Sequence, residues 1–135
     1  MDLREFIEAN EIIMGSNLIN IDQVESVEEA VGVSFGGELV KYIVKYGFLI
    51  FEDIELYGVD ARQMLDSDLV KQTIYLHKYF PKTKGYVALE NQGDGVYAVV
   101  DANDEVFQYI SETDTLKDTG KSFFQYILNR FQEAV

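Results

Sequence analysis

Apart from carboxylates, the chain has few side chains that could do acid–base or nucleophilic chemistry. Its 135 residues include one histidine, His77, and no cysteine. No serine lies in a Gly-x-Ser-x-Gly turn, so a Ser-His-Asp triad would have to be assembled around His77 alone. The absence of cysteine excludes thiolate catalysis, a disulfide framework and a Cys-based zinc site. On a helix His77 would face inward with Val70 and Thr73, so we interpret it as a buried, hydrogen-bonded histidine and predict no catalytic residue.

Carboxylates are so frequent, at 24 of 135 residues, that close pairs arise without selection for chemistry. A hydrolase with two catalytic carboxylates stays an alternative, because its signature is a separation in space that a sequence does not show. The run from Asp101 to Glu105 is similar to the start of a calcium loop. However, Val106 stands where the sharp turn of that loop requires glycine. We therefore predict a hairpin turn there, and neither a metal site nor a cofactor.

Two glycine-rich segments could in principle present backbone N–H groups to an anion. Residues 93–95, Gly-Asp-Gly, are too few for a phosphate-binding loop and lack its lysine. Gly36 and Gly37 precede a predicted helix, but the acidic surroundings oppose an anion there. The first segment therefore predicts a hairpin turn, and the second a helix start.

The net charge of the chain excludes more classes of binding partner than any sequence motif does. The 24 acidic and 11 basic side chains give a net charge of −13 and a pI of about 4.3. Such a surface repels phosphate backbones and anionic lipids, so we predict neither a nucleic-acid nor a membrane partner. The N-terminal residues lack the pattern of a signal peptide, and no apolar run approaches membrane length. With 47% hydrophobic residues, we expect one folded, cytoplasmic domain over residues 1–135.

Hydrophobic periodicity predicts an α+β fold, with helices first, strands in the middle and a helix at the end. Asp22 and Glu25 have the spacing of a capping box, and Ile13 would face inward on the first helix. Predicted helices cover about residues 2–13, 22–31, 38–46, 68–79 and 121–134. Predicted strands cover residues 48–51, 54–57, 86–90, 96–100 and 106–110. We expect an antiparallel, mostly meander sheet of about five to six strands, with the N-terminal and C-terminal helices packed around it.

Short motifs follow one another in a set order along most of the chain. They are VESVEEAVGVSF at 24–35, ELVKYIVKYG at 38–47, IELYG at 54–58, YVALE at 86–90, GDG at 93–95, VVD at 99–101, VFQY at 106–109 and SFFQYI at 122–127. This ordered set resembles the SUKH superfamily, the Smi/Knr-like domains, over about residues 18–131. One position departs from the family, which usually has proline where this chain has Gly36, and this predicts a looser start of the third helix.

The resemblance implies an α+β domain without known enzymatic activity. In bacteria such domains most often act as immunity proteins that bind a toxin, and eukaryotic relatives act as regulatory interaction proteins. Glu28 corresponds to the family's recurring acid in the second helix. Either a bond to nearby backbone N–H groups or a partner contact would account for it.

A cognate toxin with a basic surface, such as a nuclease, would complement the charge of this chain. An acidic surface also favours solubility, so charge alone does not distinguish the two roles. A regulatory adaptor without a toxin partner is the alternative. The oligomeric state is not predicted. Besides Glu28, the predicted contact residues are six acids with only Arg62 between them as a counter-charge: Glu52, Asp53, Glu55, Asp60, Asp66 and Asp68.

Overall fold

Five helices and seven strands form two antiparallel sheets in a computed structural model that describes residues 1–135. The α+β class is confirmed, and the strands divide into sheets of three and four. None of the helices is both long and apolar enough to span a membrane. The helices are α1 (Leu3–Ala9), α2 (Ile21–Val31), α3 (Gly37–Tyr46), α4 (Asp68–Tyr79) and α5 (Phe123–Glu133). The strands of the first sheet are β1 (Ile13–Met14), β2 (Leu49–Phe51) and β3 (Ile54–Leu56). Those of the second are β4 (Val87–Gly93), β5 (Val96–Val100), β6 (Glu105–Ile110) and β7 (Thr115–Ser122).

Helices cover both faces of the four-stranded sheet. Ala98 and Val100 lie in the main core, which also contains residues of α1, α2, α3 and α5 and the buried side chains of the first sheet. Ala88 and Val99 lie on the opposite face, where they pack with Leu76 of α4. Alternation along β5 therefore places buried residues on both faces of this sheet.

The first helix is shorter than its periodicity predicts. It ends at Ala9, and the side-chain amide of Asn10 donates to the carbonyl of Phe6 at 2.9 Å. The chain then becomes extended and pairs Ile13 with Ile50 at the edge of the first sheet. The predicted inward position of Ile13 is wrong, because its side chain is 62% exposed on this strand.

The second helix begins at a different capping box from the predicted one. Asn20 accepts from the backbone N–H of Gln23, and the Gln23 side chain accepts from the N–H of Asn20, both at 2.9 Å. Asp22 and Glu25 have the same spacing, but the helix has already begun at Ile21. Two boxes with one spacing compete here, and the upstream pair forms the cap.

The sequence did not predict β7. Its residues are largely polar and exposed, so they show no alternation of apolar and polar positions. The strand forms because its backbone pairs with β6 along the edge of the sheet. The final helix therefore begins at Phe123, two residues later than predicted.

A bulge in β4 buries a carboxylate. Ala88 is opposite Val99 and Glu90 is opposite Ala98, so Leu89 and Glu90 share one partner position on β5. Because of this extra residue both side chains turn towards the core, and each is only 2% exposed. Glu90 is the one charged residue among the buried positions.

Residues 57–61 connect four parts of the fold through backbone hydrogen bonds. The N–H of Tyr57 donates to the β4 carbonyl of Leu89 at 2.7 Å. The N–H of Val59 donates to Gly47 after α3, the N–H of Leu69 in α4 donates to Gly58, and the N–H of Ala61 donates to Asn17. The Tyr42 hydroxyl, on α3, also donates to the Tyr57 carbonyl at 2.8 Å. This segment, which we call the junction segment, holds the two sheets and two helices together.

Glycine is required at position 58 by close backbone approach. A Cβ atom built on Gly58 would overlap the carbonyl group of Gly47, which is backbone and cannot rotate away. We expect Gly58→Ala to lower the free energy of unfolding by about 3 kcal/mol, because the two segments must separate. Gly37→Ala is the matched control, since no heavy atom lies within 4 Å of its Cβ position. Urea unfolding measures both, and equal stability of the two variants would contradict the required close approach.

Candidate functional site

Four of the six acids predicted between positions 52 and 68 line one groove of about 280 Å³. They come from β3 (Glu55), from the junction segment (Asp60) and from the two residues on either side of Ser67, the N-cap of α4 (Asp66 and Asp68). The groove therefore has an acidic rim and a partly apolar floor. The remaining lining residues are Phe48, Ile50, Leu56, Tyr57, Gly58, Gln63, Ser67 and Lys71.

The first sheet presents one face to solvent next to this groove. On β3 the neighbours of Glu55 are both buried, so alternation turns its carboxylate outward. Strand register places Ile50 directly opposite Glu55, and Ile13 opposite Ile50. These three residues form a strip across the sheet, which we call the outer strip.

The acids of the groove are of two kinds. Asp60 is paired with Arg62, whose side chain donates to it at 3.1 Å and whose backbone N–H donates at 2.9 Å. The hydrogen bonds from the Arg62 side chain and backbone lower the pKa of Asp60. Neither of the chain's two ion pairs includes Glu55, Asp66 or Asp68. Those three carboxylates are free to meet an external cation.

The loop that carries Asp60 is closed by Ser67. The Ser67 hydroxyl donates to the carbonyl of Gln63 at 2.8 Å and accepts from the N–H of Asp60 at 2.9 Å. A 3-10 helix at Ala61–Asp66 fills the loop, and α4 begins immediately after it. Asp66 and Asp68 flank the buried Ser67, so their side chains are held at the groove while they remain exposed.

Tyr57 joins the acidic groove to the aromatic side chains beside α4. Burial, followed by the charges of Asp68, Tyr97 and Glu55, raises the pKa of Tyr57 to about 12. The phenol is therefore neutral at pH 7 and keeps its O–H as a donor. The sequence analysis missed this residue and Ile50, although the alternation of the two strands could have indicated them.

The other three predicted contact residues lie outside the groove. Glu52 and Asp53 form the exposed turn between β2 and β3. Glu28, on α2, accepts from the backbone N–H of Phe35 at 2.8 Å. This is the backbone-bonding role that the sequence left open for Glu28. The groove thus groups Glu55, Asp60, Asp66 and Asp68 and leaves these three apart.

The possible catalytic residue His77 and the possible calcium loop at Asp101–Glu105 both have polar groups that bond within the chain. His77 Nε2 lies 2.7 Å from the Tyr86 carbonyl, so this nitrogen carries the hydrogen and donates it. Asp101 accepts from the backbone N–H groups of Asn103 and Glu105, which closes the predicted hairpin turn. We interpret both as structural.

Asp104 explains the glycine at position 36. Its carboxylate accepts from the N–H groups of Glu38 at 3.0 Å and Leu39 at 3.1 Å, and so caps α3 from a distant turn. A Cβ atom at Gly36 would overlap that carboxylate. The start of α3 lacks the proline typical of the family, which would fix the backbone at the helix entry. Here the two hydrogen bonds to Asp104 hold the first turn of the helix instead.

A buried polar network anchors α5 on the four-stranded sheet. Glu90 accepts from the Tyr126 hydroxyl at 2.8 Å and from Arg130 Nε at 2.9 Å. Gln92 donates to Glu90 at 3.1 Å and to the Tyr126 hydroxyl at 2.6 Å. No buried side-chain nitrogen or oxygen in the chain lacks a hydrogen-bond partner. We interpret Glu90 as an anchor, because its carboxylate is occupied by an ion pair and by neutral donors.

Comparison with known proteins identifies one family. The family model described as SUKH_5, SMI1-KNR4 cell-wall, matches residues 3–132, nearly the whole chain. No curated protein matches the chain. The matched range includes the groove, the junction segment and the Glu90 network.

Removing the Glu90 carboxylate should destabilise the fold. We expect Glu90→Ala to lower the free energy of unfolding by about 3 kcal/mol, because Arg130 loses its counter-charge at a partly buried position. Glu133→Ala removes an exposed carboxylate of α5, the helix that carries Arg130, and should change the free energy of unfolding by less than about 0.5 kcal/mol. Urea unfolding of both variants gives the comparison. A loss no larger than that of Glu133→Ala would show that the network does not anchor α5.

Alkaline pH should unfold the protein through its buried phenols. Burial raises the pKa of Tyr42 and Tyr126 above the ordinary 10.0, and raises that of Tyr109 to about 12 with help from Asp114. These phenols ionise at lower pH when unfolded, so their contribution to stability is complete below pH 10 and is lost as pH rises above it, through pH 12 for Tyr109. Phenolate absorbance and circular dichroism should therefore change together. Full phenolate absorbance in a folded chain would contradict this.

Proposed function

The chain belongs to the SMI1-KNR4 family of the SUKH superfamily, and we propose that it is an immunity protein. It binds a cognate bacterial toxin and neutralises it by occluding the toxin's active site or substrate path. One observation carries the proposal: four carboxylates from three parts of the chain line one groove with a partly apolar floor.

The partner that fits this groove presents a basic surface. Three of the groove's carboxylates lie outside both ion pairs of the chain, and Lys71 is the one lysine in the lining. A nuclease toxin must hold phosphates in a basic cleft, and such a cleft complements this rim. The net charge of −13 adds long-range attraction, which accelerates capture of a basic partner.

Apolar side chains in and beside the groove provide surface that a bound partner would bury. Phe48 and Leu56 contribute to its floor, and the outer strip adds Ile13, which is 62% exposed. A standard interface buries about 800 Å² per partner, so the contact must extend beyond the groove. The outer strip is continuous with Glu55 and is the extension that we propose. Tyr57 is a suitable central residue, since tyrosine is enriched among residues that dominate binding energy.

The proposal places the protein in the cytoplasm, where a toxin that acts inside the cell is intercepted. Co-expression with the product of the adjacent gene tests it directly. We expect that product to be toxic alone and harmless in the presence of this chain. A product that is not toxic would favour a regulatory adaptor, and one that kills regardless would exclude immunity.

Local charge reversal tests the groove itself. We expect the triple variant Glu55→Lys, Asp66→Lys and Asp68→Lys to bind the toxin at least about 100-fold more weakly, since like charges then face each other. The three side chains are exposed, so the fold should be retained. Surface plasmon resonance at two salt concentrations measures affinity and association rate.

A second triple variant separates local charge from total charge. Glu8→Lys, Glu25→Lys and Glu29→Lys change exposed acids on α1 and α2 and give the same net charge. We expect this control to slow association by less than about tenfold, through weaker steering, and to leave dissociation unchanged. Equal losses of affinity in both variants would show that the groove has no special role and that only total charge matters.

A further inference from the structure

A second groove, of about 470 Å³, has the opposite charge from the rest of the surface. It lies between α1, the start of α2, α3 and the start of α5. One acid and three cations, Asp2, Arg4, Lys41 and Lys45, complete its lining. Six apolar side chains form its walls: Leu3, Ile21, Val40, Val44, Tyr46 and Phe124.

The three cations have no counter-charge within the chain. Neither ion pair involves Arg4, Lys41 or Lys45. The Asp2 carboxylate is already occupied, because it accepts from the N–H of Glu5 at 2.8 Å in the cap of α1. Lys41 and Lys45 are one turn apart on the same side of α3. In a chain of net charge −13, this groove therefore attracts an anion.

The apolar walls are incompletely covered. Ile21 is 65% exposed, and Val40, Val44 and Phe124 are half-buried. A concave, mainly apolar surface with a few converging charged groups is typical of a small-molecule site. Its volume lies within the range of about 300–1,000 Å³ found for such sites.

We propose that this groove binds a single-chain amphiphile with an anionic head group, such as a fatty acid or an alkyl phosphate. The alkyl chain packs against Val40, Val44 and Phe124, and the head group meets Arg4 and the α3 lysines. An acidic amphipathic helix is the less suitable occupant. A docked helix is about 10 Å across and uses anchors over two turns, about 11 Å, which needs a larger trough than this groove of about 470 Å³. The inference does not depend on the proposed immunity function.

Amphiphiles that share one alkyl chain and differ in head group test the proposal. Dodecanoate, dodecyl phosphate and dodecyltrimethylammonium are titrated below their micelle concentrations, with calorimetry and amide NMR shifts as readouts. We expect both anions to bind at least about tenfold more tightly than the cation. The shifted amides should include those of Val40, Val44 and Phe124. The tighter anion identifies the head group, carboxylate or phosphate.

Charge variants test the assigned cations. Lys41→Glu with Lys45→Glu should weaken dodecanoate binding by at least about tenfold. Lys78→Glu with Lys84→Glu, which makes the same change of net charge at exposed lysines outside the groove, should leave it within about twofold. Ile21→Glu, at an exposed apolar position of the groove, should likewise weaken dodecanoate binding. Ile74→Glu, at an exposed apolar position on α4 outside the groove, is its control.

Three results would overturn the proposal. They are no binding of either anion below the micelle concentration, equal binding of the cation, or equal losses in the groove and control variants. Binding of an acidic helical peptide in the groove, without binding of dodecanoate, would also overturn it and would identify a protein partner instead.

Discussion

Gly47 and Gly58 bring two segments of backbone together so closely that a Cβ atom at Gly58 would overlap the carbonyl group of Gly47. This approach lets the junction segment bond to the end of α3, to β4 and to the start of α4. The same segment supplies Tyr57, Gly58 and Asp60 to the acidic groove. The geometry of the groove therefore depends on backbone contacts that also hold the two sheets together, and a loss of that contact would affect the site and the fold at once.

Carboxylates in this chain divide into structural and free groups. Glu28 accepts from the backbone N–H of nearby Phe35, Asp104 accepts from the N–H of the distant Glu38, and Glu90 pairs with Arg130. Glu38 likewise accepts from the N–H of Phe124 at 2.8 Å and so connects α3 with α5. In contrast, Glu55, Asp66 and Asp68 in the groove take part in neither ion pair. Some carboxylates thus cap and anchor elements of the fold, while others remain outside the chain's two ion pairs.

Sequence patterns predicted the elements whose stability is local and missed those that depend on tertiary pairing. Periodicity identified α3 and α4 closely, because their apolar faces repeat and α3 ends at Gly47. It missed β7, whose residues are polar, and the bulge that buries Glu90, because both arise from pairing with another strand. For the site, proximity along the chain grouped Glu55, Asp60, Asp66 and Asp68, which line one groove, and their contact with a partner stays a prediction. Proximity did not separate them from Glu52 and Asp53 in the turn between β2 and β3, because the groove is formed by the packing of β3 against the junction segment and the start of α4.

We propose that the acidic groove and the outer strip together form the surface that binds a basic partner. Hydrogen–deuterium exchange of the complex with the adjacent gene's product tests this most directly, because it locates the covered backbone without any substitution. We predict slowed exchange in residues 48–71 and at Ile13, with α5 and β7 unchanged. Slowed exchange confined to other surfaces, with residues 48–71 exchanging as in the free protein, would contradict the account.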